Sequence, residues 1–105
     1  EIFTMSANGS NKRQLTHNGA ANWAPFLHPN NRQIIFSSNL HDPERRSFSL
    51  YLINVDGSGL ERVTHEARFD SFPMFSRDGK KLVFASTRNA KEPRKFNIFI
   101  ADWGR

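Results

Sequence analysis

At 105 residues, with no cysteine and a net charge of +5, the chain is one small domain or part of a larger one. The lack of cysteine excludes disulfides, thiolate nucleophiles and cysteine-held metals, and it is compatible with any redox compartment. No apolar run approaches the ~20 residues of a membrane-spanning helix, and the N-terminus carries no charged-then-apolar export signal.

The first strand signals are Ile2–Ser6 and Arg13–Thr16, joined through the turn Ala7-Asn8-Gly9-Ser10. After His17–Asn22 come Trp23–His28 and Gln33–Ser38, separated by the short polar stretch Pro29-Asn30-Asn31. A longer connection, Asn39–Phe48, leads to Leu50–Val55, the turn Val55-Asp56-Gly57-Ser58 and Glu61–Thr64. The loop His65–Asp70 then precedes Phe72–Ser76, the turn Ser76-Arg77-Asp78-Gly79 and Lys81–Thr87. Thr87–Phe96 is the second long connection, and Asn97–Trp103 is the last strand signal. Asx-Gly pairs in the turns satisfy the backbone locally and supply positive φ, which predicts hairpins. No segment shows a helical period of useful length.

Shifting the chain by 48 positions aligns nearly all of it without a gap. Gly9/Gly57, Thr16/Thr64, His17/His65, Pro25/Pro73, Phe36/Phe84, Ser38/Ser86 and Phe48/Phe96 coincide. Ile34/Leu82 and Ile35/Val83 are conservative pairs. Each repeat holds four strand signals, a to d, and four-stranded repeats of ~40–50 residues predict an all-β protein built of β-propeller blades. Residues 1–16 supply strands c and d, 23–64 a complete blade, and 71–103 strands a, b and c. That amounts to roughly two to two and a half blades of a larger ring. Pro25 and Pro73 fall in strand a, an inner edge where a missing donor is tolerated. Strands b and c are apolar on both faces, as stacking blades require. With no initiator Met, a fragment or a processed chain is the expectation.

Ile53-Asn54-Val55-Asp56-Gly57 with Val63-Thr64, and Pro73 with Phe75-Ser76-Arg77-Asp78-Gly79-Lys80 and Phe84-Ala85-Ser86-Thr87-Arg88, resemble the WD-like repeats of TolB-type propellers. Similar repeats occur in the propellers of some oligopeptidases. Phe75 stands where that pattern has Trp, and Arg77 where it has Pro. The resemblance covers essentially the whole chain and implies a six-bladed ring and a bacterial protein in a periplasmic or secreted setting. It also implies a non-catalytic scaffold for protein–protein interaction, engaging a protein or small ligand. The alternative it implies is the gating or substrate-selecting propeller of a larger hydrolase. A chain ending on strand c points towards closure by an N-terminal strand d, and so towards a free-standing propeller.

Strand alternation sorts the d–a and b–c loops onto one face and the a–b and c–d turns onto the other. Long loops on a rigid scaffold usually carry binding, so the loop face is the candidate site. Its candidate residues are Arg45, Arg46, Arg88, Lys91, Arg94, Lys95, His17, His65 and Asp70. Thr87–Phe96 holds four cations against Glu92, which suits an acidic partner. Nucleic acid is disfavoured, because the remaining charge is scattered over Lys12, Arg13, Arg32, Lys80 and Lys81, and the Phe residues are assigned to the core. His17 and His65 lie a whole blade apart and read as loop hydrogen-bonders rather than metal ligands. Asp70 either orients the d–a loop or faces the channel, with a structural role preferred. No nucleophile elbow, zinc-protease motif or phosphate loop is present, so neither catalytic residues nor a cofactor or metal are expected. The remaining blades, in the same chain or in copies of it, are expected partners too.

Overall fold

The computed structural model describes residues 1–66, 68–92 and 95–104. Among them are nine strands and no helix. A two-stranded sheet pairs β1 (Phe3–Thr4) with β2 (Arg13–Gln14). The central sheet runs β3 (Asn22–Leu27), β4 (Gln33–Ser38), β5 (Ser49–Asn54) and β6 (Glu61–Arg62). The third contains β7 (Asp70–Phe75), β8 (Lys81–Ser86) and β9 (Asn97–Asp102). Every strand pairing within the three sheets is antiparallel between neighbours in sequence, the topology of propeller blades.

The observed strands differ from the expected ones mainly at their ends. Strand a begins earlier, at Asn22 and Asp70, because Asn22 pairs with Ser38 and Asp70 with Ser86 before the apolar run starts. Strand d shrinks to two residues for a repeated chemical reason. Thr16 Oγ1 accepts the Ile2 amide at 2.8 Å, and Thr64 Oγ1 accepts the Leu50 amide at 2.9 Å. A threonine hydroxyl thus stands in for a backbone carbonyl and ends the ladder.

The turns obey their composition. At Ser76-Arg77-Asp78-Gly79 the Gly79 amide donates to Ser76 O at 2.9 Å with φ at 72°. Asp78 Oδ1 accepts the Lys80 amide at 3.0 Å. In the first copy Asn31 takes the glycine's place at φ 60°, its amide donating to His28 O at 2.9 Å. Gly79 has a second constraint: a Cβ there would lie 2.6 Å from Cε1 of His28. His28 is buried, its Nδ1 accepts the Asn30 amide at 3.0 Å, and its Nε2 lies 3.2 Å from Gly79 O. With Nδ1 an acceptor, Nε2 carries the proton and donates to Gly79.

Two cores lie between the sheets, one on each face of the central blade. Ile34, Phe36, Tyr51 and Ile53 meet Ile2 and Leu15 of the first sheet. Ile35, Leu50 and Leu52 meet Phe75, Leu82 and Phe84 of the third. The period of two along β4 and β5 sends alternate residues into opposite cores, so both strands read as continuous apolar runs. Ser37 Oγ also donates to Asp70 O at 2.7 Å across the second interface. The outer faces are different: Phe3, Met5, Ile98 and Ile100 are exposed.

Candidate functional site: the loop face

The loops that precede β5, β7 and β9 meet on one face. Phe48 and Phe69 form a parallel bridge, with the Phe48 amide on Arg68 O at 2.9 Å and the Asp70 amide on Phe48 O at 3.0 Å. Their rings lie 4.9 Å apart, and Phe96 meets Phe69 edge-on at 5.3 Å. Trp23 adds edge contacts to Phe48, Phe69 and Phe72 at 6.2, 6.0 and 5.1 Å. Five aromatic rings from two blades therefore form one seam. Its outer members are open to solvent, Trp23 at 38%, Phe96 at 47% and Phe72 at 54%. The assignment of the Phe residues to the core holds for Phe36, Phe75 and Phe84 but is corrected for this seam: Phe48, Phe69 and Phe96 lie just outside strands, and Phe72 and Phe96 are exposed.

The backbone under this seam is bent in the same way twice. Register shifts interrupt β3 between Trp23 and Phe26, and β7 between Ser71 and Met74. At the two bulges Ala24 and Phe72, equivalent in the repeat, take positive φ of 53° and 55°. A bulge re-aims side chains, and a non-glycine residue in this region is strained by ~1–3 kcal/mol.

Beside the seam is an open cleft of about 1050 Å³. Arg46, Arg68, Arg88 and Lys91 contribute cations to its lining, Glu66 and Glu92 anions, and Phe69 and Phe96 apolar walls. Arg46 and Arg68 also border a smaller neighbouring cleft of about 350 Å³.

The nine candidate residues fare differently. Arg46 is exposed, 3.6 Å from Glu44, and reaches the cleft together with Lys91. Arg88 lines it as well, but its guanidinium is committed: Nη2 donates to Asp70 Oδ2 at 2.8 Å and Nε to Ser86 Oγ at 2.9 Å. The same group sits over the rings of Phe84 and Phe99 at 5.2 and 5.9 Å. Asp70 is wholly buried beneath it and orients Arg88 from below. Arg45 turns back on its own loop, donating to Asn39 O at 3.1 Å and Leu40 O at 2.7 Å. Lys95 lies 3.5 Å from Glu92, and His17 and His65 are exposed away from the cleft lining. Arg94 lies outside the described residues. Among the described residues no cluster of His, Cys, Asp and Glu could hold a metal ion.

Asp42 shapes the loop that delivers Arg46. Its Oδ1 accepts the Glu44 amide at 3.0 Å, and Oδ2 accepts the amides of Arg46 and Ser47 at 3.0 and 2.8 Å. The donated Glu44 and Ser47 amides hold this carboxyl below the usual aspartate range.

Arg68 and the aromatic seam are absent from the residues singled out by sequence. A signal existed: Phe48 and Phe96 are identical at equivalent positions that precede the apolar run of strand c. An identity outside a strand period is poorly explained by a strand core.

No protein-family model matches the chain, and no curated protein matches it. Among the solved structures similar to it are two TolB proteins. One, assigned as TolB from Agrobacterium tumefaciens, is 30% identical with a TM-score of 0.79, over 95% of this chain and 36% of that one. The chain has a TolB-like fold. The second, TolB from Acinetobacter baumannii, is 17% identical with a TM-score of 0.76, over 97% of this chain and 24% of that one. The chain thus spans about a third of the first structure and a quarter of the second. At that coverage the three sheets are part of a propeller. No helix among the described residues is long and apolar enough to cross a membrane.

Proposed function

We propose that the chain belongs to a non-catalytic propeller scaffold that captures an acidic protein segment on its loop face. The observation that carries this reading is the union of a cationic cleft and an exposed aromatic seam at one place. Arg46, Arg68 and Lys91 offer charge, while Phe69, Phe96 and Trp23 offer apolar surface beside it. Carboxylates on the ligand meet the cations, and an apolar or aromatic side chain meets the ring edges. Arg88 takes a supporting part, since Asp70 and Ser86 hold its guanidinium against Phe84. Rim cations chiefly raise the association rate and its salt sensitivity, whereas the aromatic contacts supply affinity and slow release.

The test uses a fluorescein-labelled peptide rich in Asp and Glu around a single Phe, followed by stopped-flow anisotropy. Reversing Arg46, Arg68 and Lys91 to Glu slows association about tenfold at low salt and flattens its salt dependence. Reversing Lys12, Arg32 and Lys80, on the turn face, leaves the rate within about twofold. If the turn-face set slows association more, or if neither set matters, the loop face is not the capturing surface.

A further inference from the structure

The chain contains two Asn-Gly pairs, Asn8-Gly9 and Asn18-Gly19, and the fold treats them differently. In such a pair the glycine nitrogen can attack Cγ of the asparagine, because the missing Cβ leaves that approach open. Both asparagines hold their side-chain oxygen in an Asx turn. Asn8 Oδ1 accepts the Ser10 amide at 3.0 Å and the Ser10 hydroxyl at 2.6 Å. Asn18 Oδ1 accepts the Ala20 amide at 3.0 Å and Asn22 Nδ2 at 2.9 Å. Each oxygen therefore has two donors to steady the negative charge that attack places on it. The difference lies at the nucleophile. The Gly9 amide donates to Ser6 O at 2.9 Å, a carbonyl that takes up no proton. The Gly19 amide instead donates to Glu1 Oε2 at 3.3 Å. The Thr16 hydroxyl on Oε1, with the Gly19 amide, holds the Glu1 carboxyl below the usual glutamate range, so it is ionised at neutral pH.

We propose that Asn18 is a site of spontaneous covalent modification, with Glu1 as the general base that converts Asn18-Gly19 through a cyclic imide to aspartate and isoaspartate. Glu1 takes the Gly19 amide proton as that nitrogen bonds to Asn18 Cγ. The Cγ–Nδ2 bond then breaks, and the nitrogen leaves as ammonia with the proton that Glu1 took. Water opens the five-membered ring at either carbonyl, giving aspartate in one direction and isoaspartate in the other. Either product sets a second carboxylate beside Glu1, where Asn22 Nδ2 now bonds Glu1 Oε1 at 2.8 Å and Asn18 Oδ1 at 2.9 Å. The repulsion falls on the loop that leads into β3 and Trp23. Asn18, Gly19 and Glu1 line neither cleft, so the inference stands apart from the capture of an acidic segment.

The experiment incubates the full chain that carries these residues at neutral pH and follows amide loss by mass spectrometry of tryptic peptides. Cleavage at Lys12 and Arg13 puts Asn8 and Asn18 in separate peptides. In the folded protein Asn18 converts about tenfold or more faster than Asn8, and isoaspartate accumulates together with aspartate. In concentrated urea the two rates come within about threefold of each other, because the alignment with Glu1 is lost and both pairs share one chemistry. Glu1→Gln keeps a hydrogen-bond acceptor but not the base. It brings the folded ratio down to the urea range and leaves the Asn8 rate unchanged. A folded ratio no higher than the ratio in urea would overturn the proposal without recourse to any variant. So would conversion of Asn18 to aspartate alone, the mark of direct hydrolysis with no ring, or a ratio that survives Glu1→Gln.

Discussion

Arg45 and Arg46 are neighbours of equal charge in one loop, and they have opposite fates. Arg45 takes positive φ and spends its guanidinium on two carbonyls of its own loop, while Arg46 lines the cleft. Asp42 beneath them decides the outcome by gathering three amides. Those hydrogen bonds depress its pKa, so the stabilisation is present above the ordinary aspartate value of about 3.9 and lost as pH falls through the folded pKa. In a pH titration followed by amide resonances, Arg46 and Ser47 should shift together with a midpoint below that value. Asp42→Asn should remove the transition, loosen the loop and slow peptide association at neutral pH. A shared midpoint at or above the ordinary value would show that the carboxylate does not hold the loop. None of this was legible from charge counting. Net charge reports how many cations a loop has, whereas availability depends on which carbonyls and carboxylates reach them first.

At the scale of elements the reading of the chain was close, for an identifiable reason. Strands β4 and β5 were legible because each is a continuous apolar run beside a turn signal, Asn30-Asn31 before β4 and Asp56-Gly57 after β5, which leaves few other structures open to them. The four-residue turns were legible because Asp78, Gly79 and their counterparts do one local job wherever they sit. What escaped was the pair of bulges at Ala24 and Phe72, since neither residue type favours positive φ. The fold imposes that conformation, and the aromatic seam follows from it. Replacement of Ala24 by glycine tests the point through its sign. In an ordinary strand, Ala→Gly costs roughly 0.5–1 kcal/mol; here, relief of a left-handed conformation worth ~1–2 kcal/mol should leave Ala24→Gly neutral or up to about 1 kcal/mol stabilising. Chemical denaturation reads the difference directly. A destabilisation of about 1 kcal/mol would mean that the bulge stores no strain at Ala24.

For the whole molecule, stability comes from stacking blades rather than from any single sheet. The central blade has a core on each face, whereas the flanking sheets have one each and leave the other side open. Repeat architectures behave in this way, each unit depending on contacts with its neighbours. The repeat made this arrangement legible before any coordinate, yet the cleft was not, because it arises from three loops that meet only once the blades are stacked. The most direct measurement is amide hydrogen exchange, comparing two ladders of equal length. Strands β5 and β9 each pair with their neighbour over six residues, but β5 is buried nearly throughout and β9 is largely exposed. If stacking on both faces is the source of stability, β5 amides bonded to β4 will exchange at least about tenfold more slowly than β9 amides bonded to β8. Equal protection in the two ladders would contradict the account, since it would mean that each sheet holds itself together without its neighbours.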